Sequence, residues 1–190
     1  MSVLIRPATP EDVRTIAAIN AHYVTETLAT FDEEPRSTDE WLRVLEDRNA
    51  RGLPFLVAEL AVPHVPDDHT ASVVGYAYAS PWRPKPAYRH TAEDTVYLAP
   101  GHTGRGLGTA LLDALLKGSA AAGVRRMIAV IADTGDGGSV ALHRRFGFTE
   151  AGRLTAVGRK HGRWIDTLLM QRALEHPTLP DPHPQPHPHP

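Results

Sequence analysis

A glycine-dense stretch, TGRGLG (residues 103–108), lies between a β-rich run and a long apolar helical pattern. Glycines let a backbone fold closely around an oxyanion, and the free N–H groups and dipole at a helix start attract negative charge. The stretch therefore predicts an anion site, with a plain strand-to-helix turn as the alternative. A P-loop needs a lysine between its last glycine and a serine or threonine, whereas Thr109 follows Gly108 directly. A dinucleotide-binding fingerprint needs the spacing G-x-G-x-x-G, whereas Gly104, Gly106 and Gly108 recur at every second position.

Charged side chains lie shortly before this stretch. The segment PWRPKPAYRH (residues 81–90) carries Arg83, Lys85, Tyr88, Arg89 and His90, which suit an anionic small molecule. A solvated basic loop is the alternative. Glu93 follows in a β-rich run, where burial can raise a carboxylate pKa toward neutrality. An exposed strand glutamate is the alternative there.

The elements that must position these residues follow a mixed pattern. Thr9-Pro10-Glu11-Asp12 and Ser37-Thr38-Asp39-Glu40 both have the composition of a helix start. PFLVAEL and ASVVGYAYASPW, separated by PHVPDDH, predict a hairpin. Later helices are expected at residues 109–122 and 139–146. The predicted order is one strand, two helices, three strands, a helix, a strand, a helix and closing strands.

Composition narrows the classes of function. The 190 residues include 20 basic and 22 acidic side chains, which gives no electrostatic reason to expect nucleic acid as a partner. The absence of cysteine excludes disulfides, thiolate metal sites and thiol catalysis. No apolar run reaches the roughly 20 residues that cross a bilayer, and a cytoplasmic location is expected. The last 15 residues hold seven prolines and four histidines and predict a disordered tail.

The glycine stretch resembles the diphosphate loop of the GNAT superfamily of N-acetyltransferases, Gln/Arg-x-x-Gly-x-Gly/Ala, with Thr103 at the first position. SVALHRRFGF (residues 139–148) resembles a second segment of that superfamily. The resemblance implies an α/β (α+β) fold with a central mixed, mostly antiparallel sheet flanked by helices. It also implies acetyl-CoA as co-substrate, held at Val96, Tyr97, Leu98, Gly104, Arg105, Gly106, Leu107, Gly108, Thr109 and Asp136.

Two longer segments, SPWRPKPAYRHTAEDTVYLAPGH and AVGRKHGRWIDTLLMQ, resemble the phosphinothricin N-acetyltransferase branch of that superfamily. The likeness runs from about Ile5 to Arg172. It implies transfer of the acetyl group of acetyl-CoA to the α-amine of L-phosphinothricin, methionine sulfoximine or methionine sulfone by direct attack on the thioester. Residues 1–175 are expected to form the N-acetyltransferase domain and residues 176–190 the tail.

The resemblance also suggests individual roles. Glu93 is expected to be the general base, because an amine attacks a thioester only after losing its proton. His143 is expected to donate a proton or a hydrogen bond to the departing sulfur, although a helix histidine that packs beside Phe146 is equally consistent. The implied substrate contacts are Phe31, Arg83, Pro84, Lys85, Tyr88, Glu93, Asp94 and Thr95.

The expected partners are a small amino-acid substrate and a second copy of the chain, with Trp164 and the last strands at a two-fold interface. No metal, nucleic acid or membrane partner is expected. Two alternatives stay open. In the first alternative the enzyme acetylates another amine, such as a polyamine, an aminoglycoside or a protein N-terminus. In the second the chain is a CoA-binding module without catalysis. The sequence also leaves open whether the role is resistance to an antimetabolite or ordinary metabolism.

Overall fold

A computed structural model describes residues 3–60 and 72–175. The predictions for PHVPDDH and for the proline- and histidine-rich end lie outside these residues. Within the described part, the strands are β1 (Val3–Pro7), β2 (Phe55–Leu60), β3 (Ser72–Pro81), β4 (Thr91–Leu98), β5 (Arg126–Ala132), β6 (Thr149–Lys160) and β7 (Arg163–Ala173). The helices are α1 (Val13–Glu26), α2 (Thr38–Ala50), α3 (Leu107–Ala121) and α4 (Gly138–Arg145).

Local side-chain chemistry fixes the first two helix starts. The backbone N–H of Thr9 donates to Asp12 Oδ2 at 2.8 Å, and a short 3₁₀ turn over Pro10–Asp12 leads into α1. At α2, the Ser37 N–H donates to Glu40 Oε2 at 2.8 Å while Ser37 Oγ accepts from the Glu40 N–H at 3.3 Å. This reciprocal capping box satisfies two donors that a helix start otherwise leaves free.

The described strands form one sheet in the order β1-β2-β3-β4-β5-β7-β6. Among these strands, β4 and β5 are the one parallel pair of neighbours, and the other neighbours are antiparallel. The sequence-based prediction of a mixed, mostly antiparallel sheet flanked by helices is therefore confirmed. The predicted order of strands and helices is confirmed as well.

Each face of the sheet is covered by a separate apolar cluster. On one face α3 buries Leu111, Leu112 and Leu115 against the sheet. On the other face α1 and α2 cover an aromatic group in which the buried rings of Trp41 and Tyr76 lie 5.5 Å apart. Burial of these large side chains stabilises both layers. The strand β4 therefore lies between two packed apolar layers.

Candidate active site

The parallel ladder between β4 and β5 is short. It ends at the pair Glu93 and Ile128, although β4 continues to Leu98 and β5 to Ala132. In the part of the chain that the structure describes, no other strand pairs with β4 on this side. Along this edge the Leu98 carbonyl accepts a hydrogen bond from Tyr23 Oη at 2.7 Å, and the remaining outward-facing N–H and C=O groups can receive an extended ligand that pairs as a strand does. We call this opening the fork.

The loop after β4 turns the chain back into α3. Gly101, Gly104 and Gly106 have φ angles of 78°, 74° and 79°, which lie in the left-handed region that favours glycine. Leu107 is buried and anchors the first turn of the helix, whose leading N–H groups lack intrahelical partners. The loop and the helix dipole therefore offer donors and positive potential to an anion at the open end of the fork.

All the residues predicted to hold acetyl-CoA except Asp136 lie between the end of β4 and the first turn of α3. Residues 96–98 are the last positions of β4, beyond the end of the ladder, and residues 104–109 form the loop and the first turn of α3. Asp136 is engaged within the chain, because its Oδ1 accepts the N–H of Gly138 at 2.9 Å at the start of α4. An extended molecule with an anionic group fits this arrangement.

Glu93 occupies the last rung of the ladder, opposite Ser80 on β3 and Ile128 on β5. Its side chain is half-buried. Burial and the adjacent Asp94 carboxylate raise the pKa of Glu93, and the Arg83 guanidinium opposes them. The apex of the fork thus carries a carboxylate of increased basicity, as a general base for an amine requires.

Side chains of β4 alternate between the two faces of the sheet. Glu93, Thr95 and Tyr97 share the face covered by α1, where the rings of Tyr97 and Tyr23 lie 4.6 Å apart. Asp94 points to the opposite face, toward α4. The Asp94 carboxylate is therefore buried on the other side of the strand from Glu93, and contact of Asp94 with the substrate stays a prediction.

Asp94 and His143 form a buried pair that joins β4 to α4. His143 Nε2 lies 2.9 Å from Asp94 Oδ2, and the two side chains are 6% and 2% exposed. His143 Nδ1 lies 2.7 Å from the Ser139 carbonyl oxygen, and Phe148 meets the imidazole edge-on with ring centroids 4.9 Å apart. The pair thus fastens β4, at the position next to Glu93, to the helix that follows β5.

The two contacts of the imidazole constrain its tautomer. A carbonyl oxygen only accepts, so Nδ1 donates to Ser139, and Nε2 donates to Asp94 when the imidazole is charged. Burial alone opposes the charged imidazole, but the hydrogen bond and charge of Asp94 outweigh it and raise the pKa of His143. In the charged imidazole both ring protons are thus donated within the protein. Proton transfer from His143 to a thiolate stays a prediction that requires the imidazole to leave Asp94.

The connection between β3 and β4 forms the wall of a cationic cavity of about 530 Å³. Four residues predicted to bind substrate line it together. The complete lining is Arg51, Pro81, Arg83, Pro84, Lys85, Pro86, Tyr88 and Arg89. Arg51 follows α2 and also bonds to Asp47 at 2.9 Å. Sequence reasoning missed Arg51, because only the packing of α2 on the sheet brings it to this segment.

Phe31 does not join that group. It lines a second cavity of about 380 Å³ with Glu33, Val157, Gly158, Arg159 and Thr167, between the α1–α2 connection and β6. The predicted substrate contacts are thus divided between two cavities. Among residues 3–60 and 72–175, no cluster of histidine or acidic side chains is arranged to hold a metal ion. None of the helices in these ranges is long and apolar enough to cross a membrane.

Comparison with known proteins identifies the family. Residues 17–148 match the acetyltransferase (GNAT) family. A phosphinothricin N-acetyltransferase of Alcaligenes faecalis is 41% identical over 93% of this chain and 86% of its own length. An L-methionine sulfoximine/L-methionine sulfone acetyltransferase of Pseudomonas aeruginosa is 37% identical over 92% of this chain and 96% of its own.

Solved structures agree with this result. The crystal structure of a GNAT superfamily phosphinothricin acetyltransferase from Sinorhizobium meliloti in complex with acetyl-CoA is 39% identical. It matches with a TM-score of 0.85, over 99% of this chain and 97% of that one. The chain belongs to the GNAT family of acetyltransferases.

The Asp94–His143 pair generates a stability prediction. Replacing Asp94 with Asn leaves a buried imidazole without its counter-charge, so we expect the free energy of unfolding to fall by about 3–5 kcal/mol at neutral pH. Urea titration measures this change. Asp113→Asn is the matched control, because Asp113 is an exposed carboxylate paired with Lys117 at 2.7 Å. The control should cost less than about 1 kcal/mol.

The same variant gives a pH dependence with a defined sign. Because the pKa of His143 is raised on folding, its protonated form stabilises the protein fully below the unfolded value of about 6.5. That stabilisation is lost as pH rises through the folded pKa. The stability difference between the parent and Asp94→Asn should therefore shrink with increasing pH. A difference that grows toward alkaline pH would contradict the charged pair.

Proposed function

We propose that this chain transfers the acetyl group of acetyl-CoA to the α-amine of L-phosphinothricin or a related amino acid, such as methionine sulfoximine or methionine sulfone. The observation that carries the proposal is the fork with Glu93 on its last rung, because it joins an open strand edge to a basic carboxylate. The names of the relatives point to the same acceptors. We place the catalytic domain in residues 1–175.

The donor side uses the main chain. The N–H groups of residues 104–109 would receive the diphosphate, since the glycines with positive φ and the start of α3 present donors there. The open edge of β4 at residues 96–98 would pair with the pantetheine arm. Acetyl-CoA supplies an acetyl group activated as a thioester. Pairing along β4 would direct that group toward Glu93 at the apex.

The acceptor side uses charge. An amino acid presents a protonated amine at neutral pH, and Glu93 would take that proton directly or through water before attack on the thioester. Arg83 and Lys85 in the cationic cavity would bind the carboxylate and the second polar group of the acceptor. Arg83 also acts electrostatically on Glu93, which supports a short path between the cavity and the base.

A polycationic acceptor fits this site less well. The cavity combines Arg51, Arg83, Lys85 and Arg89 in its lining, so an aminoglycoside or polyamine would have to bring like charges together. An acceptor with two acidic or strongly polar groups instead gains charge-assisted hydrogen bonds. This favours amino acids with a polar phosphorus or sulfur group over the alternatives.

We also propose that the chain forms a homodimer through β6 and β7. Trp164 is 67% exposed, Val157 53% and Leu154 46%, all on this pair of strands, and apolar groups of this kind mark interaction surfaces.

We infer a cytoplasmic enzyme that gives resistance to an amino-acid antimetabolite, because acetylation removes the charge of the amine that a target enzyme would recognise.

Thiol release from acetyl-CoA by the purified protein tests the proposed reaction. The acceptors offered separately are L-phosphinothricin, methionine sulfoximine, methionine sulfone, glutamate, spermidine and an aminoglycoside. We expect efficient turnover with at least one of the first three, because each combines an α-carboxylate with a second strongly polar group. Turnover confined to spermidine or the aminoglycoside would refute the acceptor class, and silence on all six despite acetyl-CoA binding would refute the reaction.

Glu93→Gln removes the base while keeping the side-chain shape. We expect kcat to fall by about a hundredfold or more, the usual scale for general-base catalysis, with unchanged acetyl-CoA affinity by calorimetry. Glu150→Gln serves as the control, because Glu150 is an exposed glutamate on β6. Near-parental turnover of the Glu93 variant would remove that residue from the role of base.

Gly106→Val tests the diphosphate loop. Gly106 has φ 79° and precedes α3, so a branched side chain is strained there and crowds the approach to the backbone. We expect acetyl-CoA affinity to fall by at least about tenfold, equivalent to roughly one hydrogen bond. Gly123→Val carries the same strain at φ 86° beyond the other end of α3. Equal losses in both variants would indicate general destabilisation and not a diphosphate site.

A further inference from the structure

The connection between α1 and α2, residues 27–37, is held by side chains of β4 and β6. We call it the cover loop. On the β4 side, Tyr97 Oη donates to the Ala29 carbonyl at 3.5 Å. On the far side, Lys160 Nζ of β6 donates to the Thr30 carbonyl at 2.9 Å. β5 and β7 lie between β4 and β6 in the sheet, so the long side chains of Tyr97 and Lys160 reach neighbouring carbonyls of the loop from strands that are not adjacent.

The cover loop lies on the face of the sheet that carries the proposed base. Glu93 and Tyr97 are four positions apart on β4 and therefore point to the same side. Tyr97 contacts the loop and Glu93 is half-buried on that side. An acceptor amine that reaches Glu93 from this face therefore approaches on the side of the sheet that the cover loop occupies.

Lys160 is a buried cation with no carboxylate bonded to it among the described contacts. The residue is 3% exposed, and its ammonium donates to Thr30 O at 2.9 Å and to Tyr23 O at 3.4 Å. Burial lowers the pKa of Lys160, and the charges of Asp32 and Glu33 oppose that change. A buried ammonium is costly unless its donors are used, so its retention here depends on the two carbonyls.

A second contact fastens the same loop to the same strand. The ring of Phe31 lies directly on Gly158, where an added Cβ would lie within 2.1 Å of Phe31 Cε1. Gly158 and Lys160 are two positions apart and point to the same face of β6. The cover loop therefore meets β6 at two neighbouring points, one apolar and one polar. The cavity of about 380 Å³ that Phe31 and Glu33 line lies beside these contacts.

We propose that Lys160 is a positioning residue for the acceptor substrate. It holds the cover loop at a fixed height above the fork, and thereby places Phe31 and Glu33 against the space through which the amine reaches Glu93. The inference rests on the proposed function, since it assigns the acceptor to the face that carries Glu93. Lys160 itself touches neither the acetyl donor nor the reacting atoms.

A positioning role differs from simple stabilisation because it affects binding of the acceptor and not binding of acetyl-CoA. The donor-binding backbone of residues 96–98 and 104–109 lies on β4 and α3, whereas Lys160 holds an element on the acceptor side. Loosening the loop should therefore raise KM for the acceptor and leave acetyl-CoA affinity in place. A misplacement of about 1 Å at a distance from the chemistry can cost up to roughly a hundredfold in rate.

The test uses Lys160→Met, which keeps the length and burial of the chain and removes the donor. With the best acceptor of the parent enzyme, we expect KM for that acceptor to rise by roughly tenfold to a hundredfold. Calorimetry should give an acetyl-CoA Kd within about twofold of the parent. Arg163→Gln is the control, because Arg163 is an exposed cation on the same pair of strands, and it should leave the acceptor KM unchanged.

Gly158→Ala provides a second, independent variant if Lys160→Met does not fold. It displaces Phe31 from β6 without touching the ammonium, and should raise the acceptor KM in the same direction. An acceptor KM within twofold of the parent in either folded variant would overturn the inference, as would an equal loss of acetyl-CoA affinity. Failure of the proposed function is distinguishable, since the parent itself would then show no turnover.

Discussion

The early end of pairing between β4 and β5 is the constraint on which the site depends. Each strand is held on its outer side, β4 by β3 and β5 by β7, along nearly its whole length. Neither strand therefore needs the other in order to stay extended beyond Glu93. Backbone groups left unpaired inside a protein are costly unless water or a ligand satisfies them. An open edge of this kind is stable when it serves as a binding surface for a solvated or bound chain.

Two sets of contacts brace the fork, one on each face of the sheet. On the α4 side, the Asp94–His143 pair joins β4 to the helix that follows β5. On the opposite side, the side chains of Tyr97 on β4 and Lys160 on β6 both donate hydrogen bonds to carbonyls of the cover loop. Strand alternation puts Glu93 on the second face and Asp94 on the first. The proposed base is thus separated from the buried ion pair by the strand itself, while the Asp94 charge is still near enough to raise the pKa of Glu93.

Signals that act over a few residues were readable in the sequence. The Ser37–Glu40 capping box, the glycine loop and the order of elements depend on neighbours along the chain, and the fold they imply is confirmed. Contacts between distant segments were not readable. The Asp94–His143 pair spans 49 positions and the Lys160–Thr30 contact spans 130. Burial and partner choice at such distances depend on how helices pack on the sheet, which local patterns do not specify.

One feature of the site was predictable from side-chain alternation alone. Glu93, Asp94 and Thr95 are consecutive in a strand, so the Asp94 side chain points to the face opposite Glu93 and Thr95. The family resemblance assigns one role to all three residues because it concerns a segment of sequence. Strand geometry instead decides which face of the sheet each side chain occupies. The same distinction explains the two approaches to the apex. The strand edge and the glycine loop suit an extended anionic donor, and the face with Glu93 suits an amine. Because both approaches end at the last rung of the ladder, the amine and the thioester can meet directly, and no nucleophile of the protein has to carry the acetyl group between them.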